Sequence, residues 1–260
     1  MRVRLQAATM PVALVSEHDR DRLFNIFHRY YAHVTRVQFD ADFFAKDHVI
    51  LLRSPDHVVQ GFSTLRNLEL THRGKRVRLV FSGDTVVEKE FWGQGTLGVE
   101  FLKYLFKQML RAPLTPLYWF LISKGYKTYL LMANNFDEHW PRHEEATPQH
   151  EHQLMQQAAT TLFGDNYDHE CGLVRFAKSP GHLKRGVASV SDDLRDRNPR
   201  VDFFVQRNPT WLEGSELVCL ARMRWSMPFS YWLKIFWKDQ RHRRSSKSKT
   251  TRSDAVQGTP

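Results

Sequence analysis

Along the first half of the chain, apolar positions alternate between a period near 3.6 and a period of two. In "SEHDRDRLFNIFHRYYAHV", Leu23, Ile26, Phe27 and Tyr30 recur at helical spacing behind Ser16 and an acidic first turn, which predicts a capped helix. "HVILLR" (His48–Arg53), "VVQGFSTLRNLEL" (Val58–Leu70) and "VRLVFSGDTVV" (Val77–Val87) follow, divided by the turns "SPDH" and "THRGK". These read as three hairpin-linked strands, with Val77, Leu79 and Phe81 on one face of the third. A stripe of Leu97, Phe101, Leu105 and Met109 predicts a helix from Thr96 to Leu110, followed by a strand over Tyr118–Ser123 and a helix in "KGYKTYLLMANNF". Helix, three antiparallel strands, helix, strand, helix is an α+β order. The short run "AATMPVALV", cut by Pro11, reads as a folded strand rather than a secretory signal.

Beyond Phe136 the texture changes. "DEHWPRHEEATPQHEHQ" is polar and His-rich, "QLMQQAATTLFG" is helical, and "SPGHLKRGVASVSDDLRDRNPR" is mostly loop. Residues 137–200 therefore read as a helical and loop insertion, after which "VDFFVQR" (Val201–Arg207) and "SELVCLARMRW" (Ser215–Trp225) read as two late strands completing the sheet. The expected organisation is one domain over 1–226, an amphipathic aromatic helix over 227–240 and a disordered basic tail over 241–260.

Composition changes this picture little. A chain of 260 residues with 42% hydrophobic and 13% aromatic content can build one large domain. Cys171 and Cys219 sit in no metal or redox spacing, which fits a reducing compartment and buried thiols. The formal charge of +10 is uneven, because Lys238–Arg252 supplies most of it. A nucleic-acid binder would carry basic excess in the fold as well, so the tail reads as a separate electrostatic element. Just before it, a helix from Phe229 would put Phe229, Trp232, Leu233 and Phe236 on one side, with Lys234, Lys238 and Arg241 largely on another. That order suits an anchor on an anionic membrane surface, against the plainer reading of aromatics packed on the domain.

The chemistry concentrates in "VVEKEFWGQGTLGVEFLKYLF" (Val86–Phe106), where a strand runs through glycines into a helix. Free N–H groups at the positive end of a helix dipole make such a corner a phosphate site, or else a tight turn without ligand. No Lys-Ser/Thr follows the glycines, and the preceding strands are hairpin-linked, so neither a Walker loop nor a dinucleotide fingerprint fits.

With these elements around it, "VEKEFWGQG" (Val87–Gly95) resembles the pyrophosphate loop of the GCN5-related N-acetyltransferase superfamily. Gly93 and Gly95 match the family glycines and Phe91 its aromatic; Trp92 stands where Arg or Gln is usual, and Gly98 falls one residue late. The resemblance covers roughly residues 15–136, with the late strands joined less securely. It implies a mixed, mainly antiparallel sheet flanked by helices and an acyl-CoA or acyl-carrier-protein thioester as donor. It also implies an amine acceptor, for which the aromatic late segment favours an apolar or lipid substrate, and a donor site over Trp92, Gly93, Gln94, Gly95, Thr96, Gly98 and Ser123. The cysteine usage suits a cytoplasmic setting, and the aromatic-then-basic segment a peripheral place at the inner membrane face. A non-catalytic sensor of acyl thioesters is the alternative, and a nucleic-acid binder acting through the tail a more distant one.

Acyl transfer to an amine needs a base and a proton for the departing thiolate. Asp84 interrupts an apolar strand, and reads either as that base or as a strand-bend residue bonding nearby amides. Glu88 and Glu90 are nearer the loop, and each reads as a base or as part of a solvated strand end. By family spacing Tyr129, with Tyr126 behind it, is the acid candidate, a core tyrosine being the other reading. Ser123 could bond the donor's pantetheine arm or cap the next helix. Lys103 and Lys107 share a helix face that is either solvated or turned to phosphate. His139, His143, His150 and His152 lack clean ligand spacing, so no metal is expected.

Overall fold

The computed structural model describes residues 3–31, 34–176 and 190–227. The chain forms two compact units, Met1–Met223 and Arg224–Pro260. Of the second, only residues 224–227 are described, a turn in which the Met227 N–H donates to Arg224 O at 3.0 Å. The aromatic and basic segment expected from 228 onward lies outside the described residues.

The first unit begins with β1 (Gln6–Pro11), then α1 (Glu17–Tyr30) and α2 (Arg36–Phe44). Ser16 caps α1 by accepting the Asp19 N–H at 3.1 Å. α2 was not anticipated, although Thr35 and Gln38 form a reciprocal capping box at its start. The strands β2 (His48–Arg53), β3 (Val59–His72) and β4 (Lys75–Val87) follow as an antiparallel meander. Then come α3 (Thr96–Arg111), β5 (Leu117–Ser123) and α4 (Tyr126–Asn135), as expected.

The stretch read as an insertion packs onto the domain. β6 (His139–Trp140), α5 (Gln149–Phe163), β7 (Tyr167–Asp168) and β8 (Leu173–Val174) precede α6 (Asp192–Arg197), α7 (Pro199–Arg207) and β9 (Glu216–Arg222). β7 and β8 extend the sheet beyond β9, and Leu154, Met155, Ala158 and Ala159 of α5 enter the same core as Leu79, Phe81 and Phe120. Among the described residues the sheet has nine strands in the order β1-β2-β3-β4-β5-β9-β8-β7, with β6 also on β9. It is antiparallel except at β4–β5.

One expected strand is a helix. "VDFFVQR" lies in α7 because the Asn198 side chain caps it and Pro199 occupies its first turn, while Val201 and Phe204 bury one helical face. Cys171 is exposed rather than buried, in the turn where its N–H reaches Asp168 Oδ1 at 3.1 Å; Cys219 is buried in β9 as expected.

Alternation along the strands separates the two faces. Phe27, Phe39, Phe43, Val49, Leu51 and Phe62 form a cluster under α1 and α2. On the opposite face, α3 puts Phe101 against Trp119 at 4.9 Å and receives Arg78 through Gln108 O at 2.6 Å.

Candidate active site

β4 and β5 pair in parallel from Arg78↔Leu117 to Ser82↔Leu121 and then part, although β4 continues to Val87 and β5 to Ser123. On its other side β4 remains paired with β3, but a bulge intervenes between Phe62↔Val86 and Thr64↔Gly83. Asp84 occupies the bulge with φ +33°, a left-handed conformation that Asp adopts more readily than most residues. Bulges commonly re-aim side chains beside active sites. Here it turns Asp84 into a cavity of about 270 Å3 whose lining also includes Tyr31, Asp42, Lys46, Lys124 and Glu216.

Lys46 is only 7% exposed. Its Nζ stands 2.7 Å from Asp42 Oδ1, one helical turn back, and 3.6 Å from Asp84 Oδ2. Asp84 Oδ2 also accepts from Thr64 Oγ1 at 3.1 Å. Burial, followed by the charge of Asp42, pushes the Asp84 carboxyl up to about 7, with Lys46 acting in the other direction. Burial also opposes ionisation of Asp42, but its hydrogen bond with Asp84 and the charge of Lys46 outweigh that and hold it below its ordinary value. The two carboxyls therefore share a proton near neutrality, with Asp84 as the group that carries it.

Across the cavity Lys124 Nζ lies 3.2 Å from Glu216 Oε1 and 5.4 Å from the centroid of the Tyr31 ring. Burial raises the Glu216 carboxyl against the pull of Lys124. Burial, with the charges of Glu216 and Asp84, likewise raises the Tyr31 hydroxyl.

Past Val87 a single turn of tighter helix, Lys89–Phe91, leads into the glycine corner. Gly93 (φ +82°) and Gly95 (φ +75°) adopt left-handed conformations that glycine takes without steric cost. Gly95 is the N-cap of α3 and supplies no side-chain cap. A Cβ on Gly93, Gly95 or Gly98 would meet nothing within 4 Å, so the space above the corner is open. Thr96 is the first residue of α3.

The side chains of two of the expected donor-site residues are engaged elsewhere. Gln94 clasps the N-terminal segment, accepting the Leu5 N–H at 3.0 Å and donating to Val3 O at 2.9 Å. The Trp92 indole N–H folds back onto Val87 O at 2.7 Å, and Lys127 Nζ stands 5.1 Å from the centroid of its ring.

The other expected residues separate from the cavity. Glu88 is buried and held by Arg29 Nη1 at 2.7 Å, Arg22 Nη2 at 3.5 Å and the Tyr30 hydroxyl at 2.9 Å, which ties α1 to the end of β4. Glu90 is exposed. Tyr129 is 1% exposed and donates its hydroxyl to Pro141 O at 3.1 Å, with its ring beside Phe203 and Phe204. It is a core tyrosine, and packing of α4 against α7 accounts for its position; Tyr126 is likewise absent from the cavity lining.

Ser123 is fully buried and donates to Gly125 O at 2.9 Å, shaping the turn into α4. Lys103 and Lys107 are exposed, and Lys103 reaches Glu100 at 3.4 Å. His139 bonds Phe136 O at 2.7 Å, His143 lies 2.9 Å from Glu144, and His150 lies 3.1 Å from Glu151. His152 lies on α5, and no set of three potential metal ligands gathers among the described residues.

Asp42, Lys46, Tyr31, Lys124 and Glu216 escaped the sequence reading. Only Asp42 and Lys46 carried a signal, their i, i+4 spacing in "DADFFAKD", and it is visible once α2 is recognised as a helix.

No family model matches the chain, and no curated protein matches it in sequence. Among solved structures it is similar to a probable N-acyltransferase of Enterococcus faecalis, at 11% identity and a TM-score of 0.39, over 50% of this chain and 32% of that one. It thus spans about a third of that protein's length. A GNAT family N-acetyltransferase of Escherichia coli, solved in complex with CoA, is similar at 11% identity and a TM-score of 0.37, over 52% of this chain and 70% of that one. An acetyltransferase of Trypanosoma brucei is similar at 14% identity and a TM-score of 0.38, over 56% of this chain and 98% of that one.

Proposed function

We propose that this chain moves an acyl group from a thioester donor, acyl-CoA or an acyl-carrier-protein thioester, to an amine, with Asp84 as the base. The observation that carries this reading is the parting of β4 and β5 after Ser82↔Leu121, which opens a cavity at Asp84 on the strand that then ends in the glycine corner. Val87, where the strand stops, is about 10 Å beyond Asp84 at ordinary strand rise. One end of an extended donor can therefore rest its phosphates on the open amides of Gly93–Gly98 while the other reaches the cavity.

The chemistry follows from the charges. The acceptor attacks as the neutral amine, its ammonium proton having passed to solvent. As the nitrogen bonds to the thioester carbonyl it becomes acidic, and the ionised Asp84 carboxylate accepts its proton. Lys46 and Asp42 hold that carboxylate in place and set the pH at which it is available. Between Gly83 and Val87 the β4 main chain lacks β5 as a partner, so its free edge is a source of donors to the developing oxyanion. The C–S bond then breaks and the sulfur leaves as a thiolate. A thiol with a pKa of about 8.5 leaves without an obligatory acid, so the burial of Tyr129 does not block the step. The test is amine-dependent thiol release from acyl-CoA, compared between the wild type and Asp84→Asn.

The sensor reading draws support from Trp92, whose indole is turned onto Val87 O. It predicts donor binding with no amine-dependent thiol release. Attachment to an anionic membrane rests on the aromatic-then-basic order of residues 229–252, and salt-sensitive binding to anionic vesicles that is lost on truncation at Pro228 tests it.

A further inference from the structure

We infer that the acceptor is a primary amine on an apolar, ring-sized body that carries no second charge. This rests on the acyl-transfer reading and specifies its substrate class from the walls of the cavity. Phe39, Phe81, Ile122, Phe163 and Phe176 line it, so most of what an acceptor touches is aliphatic or aromatic. An apolar cavity of about 150 Å3 holds a benzene ring. At about 270 Å3, this one has room for a ring and a short aminoalkyl chain.

The charges narrow the class further. The cations among the described lining residues are Lys46 and Lys124, and each is already paired, at 2.7 Å with Asp42 and at 3.2 Å with Glu216. A carboxylate or phosphate on the acceptor would have to displace one of these partners or rest on the neutral side chains of Gln38, Ser82, Thr85 and Thr128, which leave its charge unbalanced, and both are costly. An ammonium group, by contrast, finds Asp84, the carboxylate whose nearest cation stands at 3.6 Å rather than in close contact. The site therefore admits amines and rejects amino acids and sugar phosphates.

The experiment is calorimetric titration of the full chain without any donor, at about pH 8 so that Asp84 is ionised. The probes are phenethylamine, phenylalanine, ethanolamine and glucosamine 6-phosphate. Phenethylamine should bind at least roughly tenfold more tightly than each of the others, and Asp84→Asn, checked for folding by thermal melting, should weaken it by a similar factor. Phenylalanine or the sugar phosphate binding as tightly as phenethylamine, or phenethylamine binding unaffected by Asp84→Asn, would overturn the assignment, as would no phenethylamine binding at all. Failure of the acyl-transfer reading would be separate: no thiol release from acyl-CoA with any of the four amines, whatever their order of affinity.

Discussion

Asp84 and Asp42 share a hydrogen bond beside Lys46, whose Nζ lies 2.7 Å from Asp42 Oδ1 and 3.6 Å from Asp84 Oδ2. Burial, followed by the charge of Asp42, raises the Asp84 carboxyl, so Asp42 ionises first. Asp42 keeps its charge, and Asp84, half-buried and facing that charge, keeps the proton until about pH 7. A carboxylate with that property is matched to proton abstraction near neutrality.

The same shift has a consequence for stability. The folded pKa of Asp84 is raised from 3.8 to about 7, so the unfolded chain ionises this group first as pH rises. Its contribution is present in full below 3.8 and is lost as pH rises through about 7. Asp84→Asn cannot ionise, so it should gain stability relative to the wild type over that interval. Parallel urea titrations at about pH 5 and pH 8 check the sign, and a constant difference between the two proteins would contradict it.

Replacing Lys46 by Met removes the cation that favours ionisation of Asp84. The pH at which activity rises should move upward, by roughly one unit or more, with donor affinity retained. A pH–rate profile that coincides with the wild type's would show that Lys46 does not set the ionisation of Asp84.

At the glycine corner, Gly95→Asn and Gly95→Asp share a shape and differ in charge. Both should fold, because a Cβ there meets nothing within 4 Å and both residues tolerate left-handed angles better than others do. If phosphate rests on these amides, the Asp variant should bind acyl-CoA more than about tenfold more weakly than the Asn variant. Equal affinities would remove phosphate from the corner.

Tyr129→Phe separates structure from chemistry. It deletes the hydrogen bond to the buried Pro141 carbonyl and should cost about 1 kcal/mol of stability. The rate of acyl transfer should remain near that of the wild type. A hundredfold loss of turnover in a folded Tyr129→Phe protein would return this residue to the catalytic set.

Much of the domain was legible because local signals and tertiary packing agree. Ser16 caps α1 and the alternating β4 buries Val77, Leu79 and Phe81, as their spacing predicts. The segment at Val201–Arg207 was misread because its bulky apolar residues suit a strand, whereas Asn198 and Pro199 start a helix just before it. Asp84 was legible as a carboxylate in an apolar strand, but its partners were not. They come from the end of α1, α2 and the turn after it, the turn before α4 and the start of β9, which the fold brings together from distant parts of the chain. The direction of Tyr129 was not legible, because spacing along α4 does not show it and contact with α7 decides it.

The most direct measurement is thiol release from acyl-CoA in the presence of phenethylamine, followed from about pH 5.5 to pH 9 for the wild type and Asp84→Asn. The account predicts amine-dependent release that rises through about pH 7, where the Asp84 carboxyl ionises. In Asp84→Asn the rate should fall by about 10²–10⁴-fold with acyl-CoA still bound. Thiol release that ignores the amine, or a variant that turns over as fast as the wild type, would contradict it.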